Sequence, residues 1–245
     1  MLYCSLMCGR YALKQVREAE EYFRVHPGLW RQSYNIAPTQ PVPVVRSENG
    51  ERHGLLLRWG LIPFFAHGVS PKFSTINARM ESIETAPTYR SAWERQQRCI
   101  QVASGFYEWH TRADGRRVPF YIECVDQPVF GFAALWDRSF AADGQKTESV
   151  AHITMPGNAL LRSIHNGGAH PFRMPAILRP EDHEAWLTGT PAEARAALKS
   201  YDAGLMLAWP VSTRVNSPKN DDAQLLERVD DDTPEEPAQS SLDLG

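Results

Sequence analysis

The chain has 245 residues, is 42% hydrophobic and 22% charged, and carries a net charge of −3. That length suits one large domain or two small ones with a sizeable core, and no run approaches the ~18 apolar residues of a membrane span. The charge is uneven: residues 221–245 hold nine acids and one base, net −8, which against the total of −3 leaves +5 on residues 1–220, a balance that suits an anionic partner.

In chain order, residues 1–6 (MLYCSL) lack the basic region and long apolar stretch of a secretory signal, so a cytoplasmic location is expected. Cys4, Cys8, Cys99 and Cys124 are then reduced thiols, and without a second short-spaced pair they do not form a zinc site. Met7-Cys8-Gly9-Arg10-Tyr11 follows. If translation starts at Met7, or if residues 1–7 are removed, Cys8 carries both a free α-amine and a thiol on adjacent carbons. These titrate near ~7.7–8.0 and ~8.5, so each has a nucleophilic fraction at neutral pH. Together they can trap an aldehyde, first as an imine and then as a five-membered thiazolidine. The simpler alternative is a small, buried, inert cysteine.

Residues 15–25 place Val16, Ala19, Tyr22 and Phe23 on one helical face. Strands at 42–46 and 53–58 flank Asn49-Gly50, strands at 99–109 and 118–124 flank Asp114-Gly115, and strands at 128–136 and 148–155 flank Asp143-Gly144. Residues 205–212 read as a last strand. Helices are expected over about 88–96, 156–164, 181–187 and 191–199. This order predicts a mostly antiparallel α+β domain, with a curled-sheet or open-barrel core and short peripheral helices. The body ends near residue 220. From about Asp230 the acidic tail has the composition of a disordered segment.

Several polar residues punctuate these elements. Glu108 lies inside Phe106-Tyr107-Glu108-Trp109. Buried there, a carboxylate has a raised pKa suited to acid/base work; in strict alternation it points to solvent instead. His165 is either a hydrogen-bonded helix-end histidine or a proton carrier. Arg79 and Arg173 form ion pairs or hold phosphates as guanidinium forks. Trp59, Phe64 and Phe65 are core residues or, exposed on a basic groove, platforms for unpaired bases.

Taken together, the motifs MCGRY (Met7–Tyr11), YNIAPTQ (Tyr34–Gln40), RWGLIP (Arg58–Pro63) and INARMES (Ile76–Ser82) open an ordered series. ASGFYEW (Ala103–Trp109), MPGN with IHN (Met155–Asn166), RMPAIL (Arg173–Leu178) and PVS with VNSPKND (Pro210–Asp221) complete it. Over residues 7–220 the chain resembles the SRAP family, the SOS-response-associated peptidases. The resemblance implies recognition of abasic sites in single-stranded DNA and a covalent thiazolidine crosslink through Cys8. It also implies self-processing that exposes the cysteine, with lyase or reversal chemistry at the lesion. It carries over Asn35, Glu108 and His165 as the rest of the catalytic site: Asn35 positions the amine or the Cys8 backbone, Glu108 shuttles protons, and His165 binds near the sugar. Arg10, Arg79 and Arg173 are implied to hold flanking phosphates, with Trp59, Phe64, Phe65 and Asn77 as further DNA contacts. No metal, no small-molecule cofactor, no membrane and a monomer are expected.

Two departures from the family pattern stand out. Six residues precede Met7, so residues 1–7 are a misassigned start or a leader. His170 lies nearer Arg173 than His165 does and is its rival. Two other function classes remain open at this stage. One is a cysteine hydrolase using Cys8, His165 and Glu108 or Asn35, and the other is a non-catalytic single-strand DNA-binding module.

Overall fold

The structure, a computed structural model, describes residues 9–230. Cys8, the leader and residues 231–245 lie outside the described residues, and with them the expectations placed on those positions. The local turn chemistry is where the fold starts. Asn49 (φ 53°) and Gly50 (φ 82°) both adopt the left-handed conformation that a two-residue hairpin turn requires. They join strands β3 (Pro41–Glu48) and β4 (Glu51–Trp59), which pair without a break from Glu48↔Glu51 to Pro41↔Arg58. Gly115 and Gly144, both at φ 85°, turn the other two expected hairpins.

The remaining strands are β1 (Arg10–Leu13), β2 (Ser33–Ile36), β5 (Asn77–Arg79), β6 (Arg98–Ala103), β7 (Gly105–Thr111), β8 (Arg117–Cys124), β9 (Phe130–Phe140), β10 (Lys146–Pro156), β11 (Arg173–Pro175), β12 (Ile177–Leu178) and β13 (Met206–Pro210). The helices α1 (Val16–Phe23), α2 (Pro87–Glu94), α3 (Ala159–Ile164), α4 (His183–Leu187) and α5 (Pro191–Ala197) fall where the sequence pattern puts them. None of the helices among the described residues is long and apolar enough to cross a membrane.

The run expected as one strand over 99–109 is two. It breaks at Ser104, whose N–H donates to Ala12 O at 2.7 Å and whose Oγ accepts from Lys14 N at 3.0 Å. A Cβ at Gly105 would meet the Tyr121 hydroxyl at 2.1 Å, so the chain can pass that corner only as glycine. β6 and β7 thereby enter different sheets.

β10, β4, β3, β6 and β9 pair in sequence around a ring, and β9 pairs β10 again, so the five strands close a barrel. The open barrel expected from the sequence is corrected to a closed one. The closing seam is a parallel pairing of β4 with β10 (Arg58↔Ser149, Trp59↔Val150) between residues some ninety positions apart, which no local pattern signals. The second sheet is antiparallel throughout, in the order β13-β8-β7-β1-β2. One face packs on the barrel through Tyr11 and Phe106, which meet Phe132 at 6.0 and 5.9 Å. The other face carries Ala12, Tyr107, Trp109 and Tyr121, and is covered by Val211, Val215 and Leu225. Packing on this face includes Leu225, and the Val229 N–H donates to Pro210 O at 3.0 Å.

Candidate active site

Strand alternation assigns the site residues to these two faces. Glu108 follows Phe106 by two positions on the barrel side of β7 and is 1% exposed. The period-2 alternation that would have turned it to solvent is overridden because both faces of β7 are covered. β1 pairs β7 with Arg10 opposite Tyr107. β1 opens at Arg10, two residues after Cys8 in the sequence, and pairs the strand that carries Glu108.

His165 is brought to the same strand by its neighbours. Asn166 exchanges two hydrogen bonds with the Thr111 backbone, accepting from its N–H at 2.7 Å and donating to its carbonyl at 2.8 Å. His110 Nδ1 lies 3.0 Å from Ser163 O. His165 is itself buried, and its Nδ1 accepts the Arg173 backbone N–H at 3.2 Å. Burial, and then the nearby Arg117 and Arg173 guanidinium groups, lower its pKa to about 4. At neutral pH the ring is uncharged, and an occupied Nδ1 leaves the proton on Nε2. His165 is thus built as a hydrogen-bond donor rather than a strong base. Its rival His170 is exposed on the loop beyond.

Arg173 is engaged within the protein. Its Nη1 and Nη2 bind Glu81 Oε1 and Oε2 at 2.8 Å each, and Nη2 also donates to Thr154 O at 2.7 Å. The same fork lowers the Glu81 pKa. Arg173 therefore braces β10 and the segment after β5, with its fork already filled by a carboxylate. Asn77 and Arg79 sit on β5, paired with His152 and Thr154 of β10. The Arg79 guanidinium is exposed, and no hydrogen bond or ion pair of its side chain occurs among the described residues.

Asn35 and Arg10 lie on the opposite, covered face of the sheet. The buried Asn35 amide donates to Val215 O, Ser217 O and Asn220 O at 3.1, 2.9 and 2.8 Å. Its Oδ1 is buried with no partner among the described residues. Arg10 donates to Gly9 O and Asn216 O. Both residues bind the C-terminal segment. Trp59 is the clear correction. It is 0% exposed inside the barrel, its indole N–H bonds Ile76 O at 3.1 Å, and its ring packs on Tyr11 and His152. No base can reach it. Phe64 and Phe65 are instead 45% and 47% exposed on a 3-10 turn beyond β4.

The sequence reading missed two participants. Arg117, on β8, acts on His165 and lies over the Trp109 ring at 6.0 Å. The other is the pairing of Arg173 with Glu81 of the INARMES motif, which joins segments more than ninety residues apart. Among the described residues no group of three or more His, Cys, Asp or Glu side chains could hold a metal ion. The described residues offer one buried carboxylate on β7 and, joined to the end of that strand through Asn166, one neutral imidazole donor with Arg117 and Arg173 near it.

Comparison with known proteins fits this arrangement. The family profile described as SOS response associated peptidase (SRAP) matches residues 7–218. A relative named abasic site processing protein YoqW, from Bacillus subtilis (strain 168), is 33% identical over 90% of this chain and 99% of its own length. The abasic site processing protein HMCES of Gallus gallus is 28% identical over 90% of this chain and 72% of its own. A crystal structure of a Bordetella bronchiseptica protein superimposes with a TM-score of 0.73 at 31% identity, covering 84% of this chain and all of the other. On a profile match spanning most of its length, the chain belongs to the SRAP family.

Proposed function

We propose that this protein recognises abasic sites in single-stranded DNA and joins them covalently through Cys8, once that residue is the first of the chain. The observation that carries the reading is the burial of Glu108 on β7, the strand paired with a β1 that opens two residues after Cys8, in a chain whose relatives are named for abasic site processing. The ring-opened abasic sugar presents an aldehyde. The α-amine adds to its carbon, a proton passes from nitrogen to the new oxygen, and a second proton, delivered by Glu108, lets water leave as the iminium forms. The thiol sulfur then adds to that carbon and releases its proton, closing the thiazolidine. One water is lost overall and no oxidant is needed. In this reading Glu108 carries these protons, which its burial in a strand supports. His165, with its Nε2–H, donates to a sugar or phosphate oxygen. Arg79 and Arg117 supply cationic charge to the strand, whereas Arg173 acts through Glu81 and Thr154. Removal of residues 1–7 and β-elimination at the imine belong to the same reading, since both use the nucleophile at position 8.

Intact mass spectrometry tests it. Protein beginning at Cys8, incubated with an oligonucleotide containing one abasic site, is expected to gain the oligonucleotide mass less one water. Protein retaining residues 1–7 is expected to gain nothing. Equal adducts from both forms would remove the amine from the mechanism.

A further inference from the structure

Three fully buried polar side chains on the β9–β10 hairpin have no part in the chemistry above: Asp137, Ser139 and Ser149. Asp137 and Ser149 face each other in the hairpin register. A row of this kind is costly to bury, and apolar residues of similar volume would serve stability as well or better. Each of the three instead binds the backbone of one short loop. Ser149 Oγ accepts the Ile62 N–H at 2.7 Å, Asp137 Oδ2 accepts the Phe64 N–H at 2.9 Å, and Ser139 Oγ accepts the Gly68 N–H at 2.8 Å. The loop stapled at these points carries the two exposed phenylalanines.

The staple also orders the rings. Asp137 Oδ1 accepts from Arg95 Nη2 at 2.8 Å. That ion pair holds the Arg95 guanidinium over the Phe64 ring, 4.6 Å from its centroid. Phe64 in turn meets Phe65 edge to face, at 5.5 Å and 85°. Phe64 is therefore covered by a cation on one side and braced against Phe65 on another. Phe65 has no second ring or cation against it among the described residues. Two adjacent phenylalanines left this exposed, yet held by a buried carboxylate, are preorganised for an apolar, flat partner.

We propose that Asp137 and Arg95 are positioning residues that set Phe65 to stack on an unpaired base, with Phe64 as its pedestal. The proposal rests on the DNA reading above and adds a division of labour within the aromatic pair. It is tested with a single-stranded oligonucleotide carrying the non-reactive tetrahydrofuran abasic analogue beside 2-aminopurine, whose fluorescence is quenched on stacking. Phe65→Ala is expected to remove the protein-dependent quenching and to weaken binding by about 5- to 100-fold, the range for loss of one aromatic–base stack. Arg95→Ala and Asp137→Asn are expected to reduce quenching in parallel and weaken binding by roughly 3- to 10-fold, in line with loss of a cation–π contact and its partner. Arg95→Lys is expected to recover part of the loss. Melting curves of each variant separate this from unfolding. If the parent protein does not bind the oligonucleotide at all, the DNA reading fails and this proposal with it. If the parent binds but Phe64→Ala costs more than Phe65→Ala, or the Arg95 and Asp137 variants quench like the parent, the pedestal assignment alone is overturned.

Discussion

The two faces of the five-stranded sheet are built for different purposes. The barrel face carries the buried carboxylate of Glu108, which shares that face of β7 with Phe106. The covered face is laced with hydrogen bonds to the C-terminal segment. Asn35 binds three carbonyls of residues 215–220, and the Asp221 carboxylate accepts from Ser33 Oγ and the Asn35 N–H at 3.1 and 3.0 Å. Trp109 donates its indole N–H to Asn216 Oδ1 at 3.0 Å. In the reading proposed above, the chemistry belongs to the barrel face, and the covered face holds the C-terminal segment.

Substitutions on opposite faces are expected to give opposite phenotypes. Glu108→Gln, in protein beginning at Cys8, is expected to slow crosslinking by about 10²- to 10⁴-fold, the usual contribution of a positioned acid/base group. Its denaturant midpoint, measured alongside, is expected to show a folded protein. An undiminished rate, read on gels of abasic oligonucleotide, would strip the barrel face of its catalytic role.

Asn35→Ala is expected to lose about 2 kcal/mol of stability, since buried carbonyls are left without donors. Urea unfolding measures this. Crosslinking by the folded fraction is expected to fall far less than in Glu108→Gln. Complete loss of crosslinking in a fully folded Asn35→Ala protein would collapse the distinction between the faces.

Acid sensitivity sharpens the comparison from inside the barrel. His152 lies between Trp59 and Phe132, with ring centroids 5.5 and 5.2 Å away, and burial lowers its pKa to about 3. The folded value is below the unfolded one, so the stability it confers is complete above about pH 6.5 and is lost as pH falls toward 3. At pH 5 the loss from this residue is about 2 kcal/mol. His165 and His183, each lowered to about 4 chiefly by burial, add to the same acid limb. His152→Leu is expected to shrink the stability difference between pH 7 and pH 5 by about that 2 kcal/mol. An unchanged pH slope in chemical denaturation would show that His152 titrates normally.

The smallest expected effect is at the rim. Arg117→Gln is expected to weaken DNA binding a few-fold and to lower the salt slope for single strands by about 0.7, as for one lost phosphate contact. It is also expected to raise the His165 pKa, followed by NMR, since Arg117 is one of the charges that lower it. A salt slope equal to the parent's would take Arg117 out of the DNA path.

Much of this was readable from local chemistry. Asn49-Gly50, Asp114-Gly115 and Asp143-Gly144 marked three hairpins because few residues tolerate the backbone those turns need. Apolar spacing marked the five helices. The Glu108 strand was recognisable as unusual, but whether its carboxylate was buried depended on what covers β7. Trp59 illustrates the converse. An aromatic following a strand can cap a groove or fill a core, and only the parallel seam of β4 with β10 decided for the core. Asn35 stood out as a polar residue in a turn-rich motif, yet its three partners come from residues 215–220, nearly two hundred positions away.

By itself the sequence determined the turns, the helices, the ordered motifs that define the family, and the candidate groups Cys8, Glu108 and His165, because these depend on neighbours within a few residues. Tertiary structure alone decided which polar groups are buried, which are already satisfied, and which aromatic rings remain exposed. Those properties are set by strand pairings and coverings between distant segments, whose contact energies leave no periodic trace along the chain.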